Sequence, residues 1–176
     1  HGGDRSQDKV LVATPSEGLD RGAVAMSAQV NLGDPAEPEM IQRMARITTD
    51  SHEKSIPVLG MFYPRGRNLI LDDSDSTSGV AHAARLAWEL GCNVVKVPWT
   101  GSEESFGIVT TSVPIPVLVS GGPKDDDFGK VLKLVEKSIN AGGSGVCMGR
   151  NVFSSEDPAS RIRALRSIVH EGANAE

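Results

Sequence analysis

The sequence predicts an α/β fold of the (β/α)8, or TIM-barrel, type, with residues 1–176 forming one barrel domain that covers roughly the last five β/α units. Three observations predict it. Short apolar runs alternate with amphipathic stretches at a period of about 30 residues, the length of a strand plus its crossover helix. The runs are apolar almost throughout instead of alternating, as expected of parallel strands covered on both faces. Finally, the residues with chemical potential fall at the C-terminal ends of five successive runs. In a barrel those ends form one rim. A doubly wound open sheet fits the alternation but gathers five strand ends at one site poorly.

The first strand is read at Val24–Val30, before Asn31-Leu32-Gly33. Pro38–Glu53 follows as a helix, because Met40, Ile41, Met44 and Ile47 recur at near-helical spacing. The second strand is Pro57–Phe62 and its helix Gly79–Leu90. Val94–Val97 is the third strand, with a weak helix at Phe106–Thr110. Val117–Val119 and the helix Phe128–Asn140 come next, then Gly145–Met148 and the helix Pro158–His170. The stretch Arg67–Ser78, with Asp72, Asp73 and Asp75 among serines, reads as a long loop over the rim, either a lid or a solvated connection.

Composition narrows the function. Lys and Arg number 18 against 23 Asp and Glu, for a net charge of −5, and 39% of residues are hydrophobic. That balance, with no basic stripe, excludes nucleic acid as a bulk partner but admits a small anionic substrate in a locally positive pocket. Cys92 and Cys147 lie far apart in apolar runs, so a disulfide framework is not expected and a cytoplasmic location is. Metal-ligand spacing is absent, no apolar run reaches the roughly 18 residues of a membrane span, and no signal-peptide pattern opens the chain.

Lys96 is the sharpest candidate for chemistry. It stands between Asn93-Val94-Val95 and Val97-Pro98-Trp99, inside or at the end of an apolar strand. Apolar surroundings disfavour the ammonium and favour the neutral amine, the nucleophile that attacks a ketone. Snorkelling or pairing with a carboxylate is the plainer alternative. Ser120-Gly121-Gly122-Pro123 and Gly149-Arg150-Asn151 end the last two strands. Glycines there let backbone N–H groups approach an anion, and barrels often hold phosphate after their last two strands. Arg150 would add a bidentate contact. Tight turns alone would also explain the glycines. Tyr63, the chain's single tyrosine, is a candidate proton carrier beside Lys96, and Arg65 a candidate contact for a second anionic group. Asn31 and Trp99, at or just beyond strand ends, are weaker candidates for substrate contact. His52, His82 and His170 fall in helical stretches and receive no role.

In this order and spacing, Met61-Phe62-Tyr63-Pro64-Arg65-Gly66, Val94-Val95-Lys96-Val97-Pro98-Trp99-Thr100-Gly101, Pro116 to Lys124 and Met148-Gly149-Arg150-Asn151-Val152-Phe153 resemble the archaeal-type class I fructose-bisphosphate aldolases. That family includes the amino-dideoxy-heptulosonate synthases and the aldolase-like enzymes of autoinducer-2 breakdown. The resemblance runs from about Asp8 to the C-terminus. It implies that Lys96 forms the Schiff base, that Tyr63 acts as acid and base beside it, and that Ser120, Gly121, Gly122, Gly149 and Arg150 hold the substrate phosphate. It also implies a sugar-phosphate substrate, no cofactor, no metal, and a homo-oligomer of five or ten subunits.

The chain departs from the family pattern twice. The family has about three strands upstream, the first bearing an aspartate near the Schiff base, so those strands are expected to lie outside residues 1–176. Many relatives also carry a histidine two residues before the Asn31 position, where this chain has Gln29. Within the family, the alternative to bisphosphate cleavage is a synthase that condenses a ketose-phosphate-derived fragment with aspartate semialdehyde. Readings from other classes are an FMN-type oxidoreductase, which leaves Lys96 unexplained, and a truncated, non-catalytic barrel subunit.

Overall fold

The computed structural model describes residues 9–65 and 75–175. Five strands lie in the order β1-β2-β3-β4-β5: β1 Met26–Leu32, β2 Val58–Pro64, β3 Val94–Val97, β4 Val117–Ser120 and β5 Gly145–Cys147. Every neighbouring pair is parallel. Each strand therefore leads into a crossover that returns to the same end of the sheet. The crossovers are helical: α2 Glu37–Glu53, α3 Thr77–Glu89, α4 Glu103–Thr111 and α5 Phe128–Asn140, with α6 Arg150–Phe153 and α7 Pro158–Glu171 after β5. A short α1, Pro15–Asp20, precedes β1.

The helix boundaries follow from local chemistry. Asp127 and Asp157 cap α5 and α7 by accepting from Gly129 N and Ser160 N, and α7 stops at Gly172, which takes the left-handed conformation (φ 68°). The hydroxyl of Ser102 caps α4, so this helix starts a turn before the Phe106 expected from its apolar pattern. α1, unforeseen from the hydrophobic pattern, is built on a Thr14–Glu17 capping box with Pro15 at its start. β1 also lies later than expected. Val24 stays exposed, and pairing with β2 runs from Met26↔Val58 to Leu32↔Pro64, which places Asn31 inside the strand.

The two sheet faces differ. Val30, Leu32, Val58, Phe62, Val95, Val97, Val117 and Val119 point to the helix layer, and all are buried. They meet Met40, Met44 and Ile47 of α2, Val80, Ala83, Ala84 and Ala87 of α3, and Phe106 and Val109 of α4 in one cluster. The alanines of α3 let its axis approach the strands closely, while each large aliphatic or aromatic side chain contributes about 1.5–3 kcal/mol by leaving water. On the opposite face the register aligns Gln29, Met61, Lys96, Leu118 and Gly145 in one row, each partner projecting to the same side. The four side chains of this row are only half-buried. The expected loop at Arg67–Ser78 lies mostly outside the described residues. Its last part begins α3, where the Asp75 carboxylate accepts from Thr77 N at 2.8 Å.

Candidate active site

Lys96 sits on the half-buried face, in the middle strand of five. Two residues beyond its row, toward the C-terminal ends, come Tyr63 on β2, Ser120 on β4 and Cys147 on β5, all on the same face. Ser120 and Cys147 are register partners. The strand ends thus converge on a pocket of about 210 Å³, lined by Tyr63, Arg65, Lys96, Ser120, Gly121, Gly122, Cys147, Met148, Gly149, Arg150 and Asn151.

Among the described residues the lining carries three cationic side chains, Arg65, Lys96 and Arg150, and no carboxylate. The potential inside favours an anion although the chain as a whole is acidic. The Arg65 guanidinium lies 4.3 Å from the centre of the Tyr63 ring, a cation–π contact that fixes both side chains at the rim. Its charge extends to Lys9, whose ammonium is held below its usual range first by burial and then by Arg65. Arg150 donates from Nη2 to the carbonyl of Gly122 at 2.8 Å. A guanidinium has five N–H donors, so this bond leaves others for an anion.

Two of the three glycines, Gly121 and Gly122, are demanded by the backbone. A Cβ on Gly121 would lie 2.4 Å from Cβ of Met148, so the two loops pass at a distance only hydrogen permits. Gly122 adopts φ 62°, the left-handed region. Gly149 opens α6, whose first N–H groups have no acceptor within the helix. Close packing thus accounts for Gly121 and a left-handed turn for Gly122, and all three glycines line the pocket.

Of the residues singled out in the sequence, eight line this pocket and two do not. Asn31 is fully buried and accepts from Gln29 Nε2 at 2.8 Å. Trp99 has the parity of Val95 and Val97 and turns to the helix layer, its ring 5.0 Å from that of Phe106. The pocket adds Cys147, Met148 and Asn151. Strand alternation from Gly145 signals Cys147, whereas Asn151 shows only as the residue after the Gly149-Arg150 turn. Among the described residues no group of three or more His, Cys, Asp or Glu side chains gathers as a metal site would, and no helix is long and apolar enough to cross a membrane.

Comparison with known proteins decides the family. Residues 1–155 match the DeoC/LacD family aldolases. The chain belongs to that family. Over 162 residues this family member is 38% identical to the 2-amino-4,5-dihydroxy-6-oxo-7-(phosphonooxy)heptanoate synthase of Streptomyces griseus, covering 92% of the chain and 58% of the synthase. Among solved structures, an archaeal fructose 1,6-bisphosphate aldolase superposes with a TM-score of 0.86 at 34% identity, over 93% of this chain and 64% of that one. An archaeal fructose-1,6-bisphosphate aldolase with its catalytic lysine covalently bound to the carbinolamine intermediate gives a TM-score of 0.85 at 33% identity, over 91% and 63%. The DeoC/LacD member thus spans less than two thirds of these relatives' lengths. Its five parallel strands and their helices form part of a (β/α)-barrel of the aldolase type.

Proposed function

We propose that this protein is a metal-independent class I aldolase acting on a ketose phosphate such as fructose 1,6-bisphosphate or dihydroxyacetone phosphate. The observation that carries the reading is one pocket holding an amine nucleophile, a phenol and a cationic, glycine-built wall: Lys96, Tyr63, and the loops of Gly121-Gly122 and Gly149-Arg150.

In this account the phosphate is held by Ser120, by backbone N–H groups of the two glycine loops and by Arg150. That anchorage presents the ketone carbon to Lys96. The amine adds to the carbonyl, and loss of water yields a protonated iminium. In the cleavage direction the hydroxyl proton on the carbon beyond the scissile bond goes to a base, the C–C bond breaks, and an aldehyde leaves. The electron pair flows into the iminium and forms an enamine. Protonation of its carbon and attack of water then release the second product and free Lys96. Tyr63, at the rim beside Lys96, is the candidate to carry protons in these steps. Arg65 would meet a second anionic group. Asn31, the register partner of Tyr63 on the face that carries Lys96, would act through Gln29, from whose Nε2 it accepts, and Trp99 from the helix layer through Phe106. The barrel domain works in the cytoplasm as a homo-oligomer.

The 38% identity to the 2-amino-4,5-dihydroxy-6-oxo-7-(phosphonooxy)heptanoate synthase of Streptomyces griseus favours a second reading within the same chemistry. There the enamine from a ketose-phosphate-derived fragment attacks aspartate semialdehyde, and a C–C bond forms instead of breaking. The test is to supply the full-length protein with fructose 1,6-bisphosphate alone and then with aspartate semialdehyde. Release of triose phosphates that Lys96→Met abolishes supports the aldolase. A seven-carbon amino sugar acid formed only with the semialdehyde supports the synthase. Triose release that survives Lys96→Met contradicts both.

A further inference from the structure

We infer that Asn151 is a positioning residue that holds the phosphate cradle in shape by tying the loop after β4 to the loop after β5. The inference rests on the phosphate reading of the pocket and assigns the residue that maintains it.

Asn151 is 2% exposed, and its side-chain amide is spent on one target. Nδ2 donates to the carbonyls of Gly121 at 2.6 Å and Pro123 at 3.0 Å, while Oδ1 accepts from the backbone N–H of Asp125 at 2.8 Å. Both donors and the acceptor of one amide thus engage the backbone of 121–125, the segment that includes the glycines of the cradle. The carbonyl of Asn151 is itself held by Nη1 of Arg161 at 2.7 Å, and the Arg161 guanidinium stacks 4.5 Å over the ring of Phe128 at the start of α5. The tether therefore has a fixed foot on α6 and α7.

A loop rich in glycine needs such a tether. Gly121 and Gly122 lack the side chains that would otherwise anchor them, and their backbone freedom is large in any state not held. An anion site works when its N–H groups already point inward before the ligand arrives, since ordering them on binding costs affinity. Asn151 supplies the order in advance by polar bonds made in a nearly water-free position, where they persist.

The chemistry makes a sharp distinction between isosteres. Asp at this position keeps the shape but has no N–H donors, so it would set a carboxylate against the carbonyls of Gly121 and Pro123. Asn151→Asp should therefore release the loop as fully as Asn151→Ala, although it opens no cavity.

The experiment compares wild type, Asn151→Asp, Asn151→Ala and Arg163→Ala, an exposed α7 control, in the full-length protein. Binding of inorganic phosphate and of dihydroxyacetone phosphate is measured by calorimetry, alongside borohydride trapping with phosphate-free dihydroxyacetone. Loss of the two bonds donated by Nδ2, at about 1 kcal/mol each, predicts phosphate binding weaker by roughly thirtyfold or more in both Asn151 variants. Trapping with dihydroxyacetone should be unchanged, because Lys96 on β3 is not touched, and hydrogen exchange should rise at 121–125 alone. A general structural defect would weaken trapping equally and raise exchange throughout, and would overturn the inference. So would wild-type phosphate affinity in Asn151→Asp. A wild type that binds phosphate not at all would overturn the proposed function and this inference together.

Discussion

Replacing Gly121 by alanine tests the geometry of the cradle at a single atom. The added Cβ would lie 2.4 Å from Cβ and 3.4 Å from Cα of Met148. Carbon atoms in good contact stand about 3.5–4.0 Å apart, so an overlap of more than about 1 Å must be relieved. Cβ of Met148 is fixed to its backbone and has no rotamer that carries it away, so one loop or the end of β5 has to move. Overpacking of this kind costs about 1–3 kcal/mol in stability. The same displacement separates the N–H groups of the two loops, and phosphate binding weakens with it. Gly149→Ala is the reference: its Cβ meets nothing within 4 Å and its φ is −120°, so the change should stay within about 0.5 kcal/mol. A double-mutant cycle by chemical denaturation separates clash from general sensitivity. Met148→Gly should recover the stability lost in Gly121→Ala, whereas Met148→Ala should not, since alanine keeps the offending Cβ. Equal rescue by both, or a Gly121→Ala protein as stable as Gly149→Ala, would refute the packing argument.

Three further outcomes follow from the same structure. Phe106 is fully buried against Trp99, and Phe106→Ala should cost about 3–5 kcal/mol in denaturant unfolding while leaving the strand ends in place. Iodoacetamide near neutral pH should label Cys147 and spare Cys92 until the protein unfolds, and dihydroxyacetone phosphate should protect Cys147, since that thiol lines the pocket with Lys96. Burial pushes the Cys92 thiol up to about 12 from its ordinary 9.0. Between these values the unfolded chain has lost the proton and the folded chain keeps it, so stability falls as pH rises through that window. Cys92→Ala should remove that part of the alkaline slope, seen as a flatter dependence of the denaturation midpoint on pH.

The alternation of elements was legible because burial on two faces leaves unbroken apolar runs, and Val94–Val97 and Phe128–Asn140 fall where the pattern puts them. Errors collected where polar chemistry outranks hydrophobic pattern. The Thr14–Glu17 box that starts α1 and the Ser102 cap of α4 are written in the sequence, but as side-chain hydrogen bonds and not as periodicity. The hydrophobic pattern sets β1 two residues early because Val24 is apolar yet exposed, while Asn31 is polar yet buried and paired with Gln29. For the site, Lys96 and the glycines stood out as exceptions to their surroundings. Trp99 looked equally exposed to function from its motif, and only strand parity sends it to the helix layer. Asn151 was hidden because its partners are backbone atoms up to 30 residues away.

Borohydride trapping reaches the central claim most directly. The full-length protein is incubated with dihydroxyacetone phosphate, reduced, digested and mapped by peptide mass spectrometry. The account predicts one covalent adduct, on Lys96, absent in Lys96→Met and diminished by competing inorganic phosphate. A protein that binds dihydroxyacetone phosphate at this pocket yet yields no adduct, or carries the adduct on another lysine, would contradict it.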